Sequence, residues 1–98
     1  MSMLENKFQS KLIKEIKDKF PGCIVLKNDP TYIQGVPDLT IFHGNKWGAL
    51  EVKKDAKAHK QPNQEYYVDL MNKMSFSRFI NNDNKEEVLR ELQQTFQA

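Results

Sequence analysis

The 98-residue sequence contains one cysteine, Cys23. A lone cysteine cannot close an internal disulfide, and there is no second thiol with which to build a metal site. Within the run "CIVL", Cys23 is read as a small buried hydrophobe. No apolar run approaches the ~20 residues that a membrane-spanning helix needs. No short apolar stretch follows a basic start in the manner of a secretion signal. A cytoplasmic protein without membrane contact is expected. A large charge of one sign is missing too: 15 Lys and Arg oppose 13 Asp and Glu, for a net charge of +2. That bias does not by itself imply a nucleic-acid partner. Repeats, low-complexity tracts and linkers are absent, and the length suits a single core, so residues 1–98 are read as one domain.

What the sequence does contain is periodicity. Leu4, Phe8, Leu12, Ile16 and Phe20 recur every four residues, which predicts the apolar face of a first helix over residues 3–20. Pro21 and Gly22 stop it. Lys7, Lys11 and Lys14 are read as its solvated face. "CIVLK" predicts a short buried strand, and "NDPTYIQGV" a loop. "PDLTIF" and "KWGALEVKK" predict two strands joined by a Gly44-Asn45 turn, with Gly44 taking the positive φ of the first turn position. Pro62 suits the first turn of a second helix, whose apolar side is Tyr67, Leu70, Met71 and Met74. "SFSRFI" predicts a further strand. Asn84, with Glu87 three residues on, predicts a capping box for a last helix buried through Val88, Leu89, Leu92 and Phe96. The order is helix, three strands, helix, strand, helix, an α/β arrangement.

The hairpin carries an oddity. With a two-residue turn, His43 faces Lys46, Phe42 faces Trp47, Thr40 faces Ala49, and Asp38 falls opposite Glu51. Alternation of side chains puts Lys53 on the same face. Opposed positions lie roughly 4.5–5.5 Å apart at Cβ. Two carboxylates at that distance repel unless one holds a proton or both hold a cation. Folding gives no reason to keep them, whereas a divalent metal does: Mg²⁺ prefers hard oxygen ligands, typically one or two carboxylates with water and substrate phosphate. The backbone carbonyl of Val52 is a further candidate ligand. The Lys53 ammonium would orient or help deprotonate the attacking water, or offset charge on a phosphate. The plain alternative is an exposed ion pair of these acids with Lys53, which contributes little.

Residues 35–54, "GVPDLTIFHGNKWGALEVKK", resemble the signature of the PD-(D/E)XK nuclease superfamily. Pro37-Asp38 stand for its PD, and Glu51-Val52-Lys53 for its (D/E)XK. More narrowly the chain is similar to the small VRR-NUC (virus-type replication-repair nuclease) domains, where a Gly-x-Pro-Asp strand is followed by Glu-Val-Lys and then by a helix bearing a Gln. The resemblance implies a restriction-endonuclease-like αβββαβ core, here with a C-terminal helix. It implies a divalent-metal-dependent endonuclease that hydrolyses DNA phosphodiester bonds. Asp38 and Glu51 would then ligate Mg²⁺ or Mn²⁺, and Lys53 would serve the nucleophilic water. An acid on the first helix would join the site, Glu5 or alternatively Glu15. So would a Gln, Gln64 or alternatively Gln61, which precedes Pro62 and would cap the helix. Lys54, Lys57 and Lys60 would hold the DNA backbone by charge. A homodimer acting on branched or junction DNA, in a phage or bacterial setting, is also implied. An exposed apolar face on the last helix would be one surface for it.

Other residues read as structural. His43 and His59 are too isolated to be metal ligands by spacing. Trp47, Tyr66 and Tyr67 read as core or core-edge. Tyr32 and Gln34, in the loop ahead of the Asp38 strand, are candidate substrate contacts. A non-catalytic DNA-binding or protein-interaction module on the same fold is the competing function.

Overall fold

The structure, a computed structural model, describes residues 2–98. Helix α1 spans Met3–Lys19 and opens on Ser2, whose hydroxyl accepts from the Glu5 N–H at 3.1 Å. A Ser cap of this kind satisfies one of the free donors of the first turn. Leu12, Ile16 and Phe20 are buried, with Phe8 packed alongside. The helix ends before Gly22, at φ 86°, a value a glycine adopts without strain. The expected stripe is one turn too long, because Leu4 is exposed. The core reaches α1 only from Phe8 onward.

Strands β1 (Ile24–Lys27), β2 (Leu39–His43), β3 (Lys46–Val52) and β4 (Ser77–Ile80) form one sheet in the order β1-β2-β3-β4. The first two pairings are antiparallel and the β3–β4 pairing is parallel. The parallel pair requires a crossover, which α2 (Pro62–Met74) supplies before α3 (Lys85–Gln97) closes the chain. The β2–β3 register runs from Leu39 opposite Leu50 to His43 opposite Lys46, as the two-residue turn requires, with Gly44 at φ 63°.

Alternation divides the sheet into two faces. Leu39, Ile41, Leu50, Val52 and Ile80 join Leu12, Ile16, Val88, Leu89 and Leu92 in one core between the sheet and helices α1 and α3. Each such side chain contributes about 1.5–3 kcal/mol of burial. A Cβ on Gly48 would lie 2.6 Å from Leu92 Cδ1, so α3 rests directly on that glycine. Helix α2 packs on β3 and β4, and its Gln64 meets Glu51 and Lys53 on the other face.

Several expectations are corrected here. β1 is an edge strand with Ile24 and Leu26 exposed, not a buried one, because both lie on the Phe42 and Thr40 face of the sheet, where α2 packs on β3 and β4, while Val25 faces the core. Cys23 is half-buried rather than buried. On α2 the buried residue is Val68, while Met74 and Tyr66 are exposed; the helix touches the sheet along a narrow strip. Asn84 does occupy the N-cap of α3 but makes no side-chain cap. Its amide instead donates to the Phe79 carbonyl at 3.0 Å and accepts from the Asn81 N–H at 2.8 Å, fixing the turn after β4. The apolar face of α3 is buried in the core, so it offers no surface to a second copy. The His43 ring stacks 5.3 Å from Phe96 and 6.0 Å from Phe20, a packing role. No helix among the described residues is long and apolar enough to cross a membrane.

Candidate active site

Asp38 immediately precedes β2, and Glu51 is the penultimate residue of β3. Continuing the observed register by one step sets them opposite each other. Three bonds fix the entry to β2. The Asn28 N–H donates to the Asp38 carbonyl at 2.8 Å. The Asn28 amide donates to the Pro37 carbonyl at 2.9 Å and to the Thr40 hydroxyl at 2.8 Å. The Asp38 side chain is tied across the hairpin: its Oδ2 accepts from the Val52 N–H at 2.8 Å.

Glu51 is only 4% exposed. Burial first, and then the charge of the adjacent Asp38 and a hydrogen bond to it, push its carboxyl up to about 9. Lys53 pulls in the other direction, and Glu5 adds a smaller push upward. Glu51 therefore holds its proton at neutral pH.

Lys53 is also buried. Its Nζ donates to the His59 carbonyl at 2.9 Å and to Gln64 Oε1 at 2.8 Å. Gln64 in turn donates through Nε2 to Glu51 Oε2 at 3.3 Å, and its Oε1 also accepts from the Gln61 N–H at 3.0 Å. Gln64 thus bridges the amine and the acid while closing the first turn of α2. Gln61 stands at the N-cap. No ion pair among the described residues involves Asp38, Glu51 or Lys53. The plain reading of an exposed salt bridge is therefore not what the chain builds.

Of the two helix acids, Glu15 accepts from Lys85 at 2.8 Å and is engaged there. Glu5 is the one whose charge reaches Glu51. Among the described residues no group of three His, Cys, Asp or Glu side chains is arranged to hold a metal ion. Lys54, Lys57 and Lys60 are exposed on the segment between β3 and α2, with the Lys60 ammonium 4.5 Å from the Phe79 ring centroid. Sequence reasoning missed the parts played by Asn28 and by the His59 carbonyl. A main-chain acceptor leaves no residue signature, and a lone Asn in a loop reads as turn chemistry.

The fold that carries this site is shared with solved structures. One, described as a VRR_NUC domain protein, superposes with a TM-score of 0.67 at 16% identity, over 99% of this chain and 91% of that one. Another, described as a VRR_NUC domain, gives a TM-score of 0.70 at 22% identity, over 91% of this chain and 97% of that one. No family model and no curated protein matches the sequence. The chain has the fold of these VRR_NUC domain structures, with the C-terminal helix α3 present.

Proposed function

We propose that this chain is a divalent-metal-dependent endonuclease that hydrolyses DNA phosphodiester bonds. The observation that carries the reading is the buried Glu51 carboxyl against Asp38, with no ion pair to either acid among the described residues, beside an amine locked in place by Gln64. Two adjacent hard oxygen donors, the buried one held protonated, fit a site for Mg²⁺ or Mn²⁺, because a dication would offset the burial and repulsion that keep the proton on Glu51. Asp38 and Glu51 would hold the ion, with the Val52 carbonyl as a third donor. When bound, such an ion lowers the pKa of water and polarises a phosphate.

The chain's own residues supply the rest. The Val52 N–H fixes the Asp38 carboxylate. Two of the three Lys53 donors are occupied by the His59 carbonyl and Gln64. The third remains for the attacking water or a phosphate oxygen, where a fixed positive charge stabilises the pentacoordinate transition state. Glu5 adds negative charge at the rim. Lys54, Lys57 and Lys60 grip backbone phosphates without reading sequence, which makes binding strongly salt-dependent. A homodimer with two such centres, acting on branched or junction DNA in a phage or bacterial cytoplasm, completes the reading. Plasmid nicking in Mg²⁺ and in EDTA tests it: cutting in Mg²⁺ alone is expected. No cutting with any divalent ion or DNA form overturns it in favour of a non-catalytic module on this fold.

A further inference from the structure

Beside the acids lies a cleft of about 510 Å³, lined by Pro30, Gln34, Gly35, Gln61, Asn63 and Gln64. Its size is that of an ordinary small-ligand pocket, about 300–1,000 Å³. Its wall is one hydrogen bond from the site, because Gln64 belongs to both. The lining has no ionisable side chain. Four of its members are amides, each of which offers donors and an acceptor together. A phosphate subsite would carry Lys or Arg, and an apolar partner would find little to bury. Nucleobase edges carry mixed donors and acceptors, which amides match. The cleft is built by a close approach: Gly35, at φ 91°, lies where any Cβ would be 2.7 Å from the Asn63 side chain. Only glycine lets the loop descend onto the start of α2.

We propose that this cleft takes one unstacked nucleobase of the strand whose phosphate lies at Asp38 and Glu51. This deepens the nuclease reading and rests on it. A base held there must leave the stack, which is least costly in single strands, ends and branch points. The site would thereby favour unpaired nucleotides through shape and hydrogen bonding, with Gln34 and Asn63 as the contacts that have no duty in the catalytic set.

The test reads binding in EDTA, where cutting is not required. An abasic analogue is walked along a short single-stranded DNA, and affinity is measured by fluorescence anisotropy for the wild type and for Gln34→Ala/Asn63→Ala. At one position the wild type should lose about tenfold, the size of one or two neutral hydrogen bonds. The double variant should lose about as much on the intact strand and nothing further at that position. Losses that add independently, a wild type indifferent to every abasic position, or no binding to the strand at all overturn the proposal. Unchanged thermal melting of the variant keeps folding out of the comparison. The nuclease reading is judged separately by plasmid nicking with intact protein.

Discussion

The main-chain N–H of Val52 donates to Asp38 Oδ2 across the β2–β3 hairpin at 2.8 Å. This bond couples the position of a proposed metal ligand to strand register. A one-residue slip would turn Asp38 to the opposite face from Glu51 and Lys53, so the hairpin turn and the chemistry depend on the same pairing.

Asp38→Asn tests the repulsion built into that pairing. The amide oxygen still accepts from Val52, so the register survives, while the negative charge beside Glu51 is gone. Cutting should be abolished. In EDTA above about pH 9, where both acids are charged, the variant should be more stable than wild type by about 1 kcal/mol, which for a domain this size raises Tm by about 4–8 °C. A lower melting temperature in EDTA would count against repulsion between the two acids.

The elements that position the site were legible because local chemistry decided them. Gly44-Asn45 allows one tight turn, and that turn alone determines which residue opposes Glu51. Pro62 marked the start of α2 for a similarly local reason. Burial was less legible. Ile24 and Leu26 look like core residues in sequence, yet their strand lies at the sheet edge, and strand order is a property of long-range pairing. Leu4 and Met74 likewise continue an apolar period beyond the packed surface. Asn84 shows competition between neighbours, since the turn after β4 takes the amide that a capping box would have used.

Glu51 makes the metal-free protein sensitive to alkali. Its carboxyl sits near 9 in the folded chain against an ordinary 4.5. Between those values the native state binds a proton that the unfolded chain has released. Stability in EDTA should therefore fall as pH rises through this window, by at most about 1.4 kcal/mol per pH unit. Glu51→Gln, which keeps the shape and removes the titration, should flatten the profile. Urea midpoints measured across the window check both statements, and equal slopes for the two proteins would contradict them.

Lys53→Ala should stop turnover while leaving Mg²⁺ or Mn²⁺ affinity unchanged or slightly tighter, since a positive charge near the acids is removed. It also strips the His59 carbonyl and Gln64 Oε1 of a donor, though Oε1 keeps the Gln61 N–H, at a cost of about 0.5–1.5 kcal/mol for each bond lost. Calorimetric titration of metal, beside nicking assays, separates the roles. Loss of metal binding together with turnover would mean that Lys53 holds the carboxylates in place rather than acting on water or phosphate.

Gly48→Ala isolates the packing of α3 from the site. The added methyl would lie 2.6 Å from Leu92 Cδ1 and 3.3 Å from Phe76 Cδ1. Leu92 is fully buried and Phe76 nearly so, which leaves neither side chain free space to yield. Overpacking of this kind costs about 1–3 kcal/mol, equivalent to a Tm lower by about 4–24 °C in a 60–100-residue domain. Asp38, Glu51 and Lys53 belong to the α2 side of the sheet, so metal affinity measured well below the new Tm should match wild type. A Tm at or above wild type would show that α3 does not rest on Gly48, and the burial of Leu92 against the centre of β3 would have to be abandoned with it.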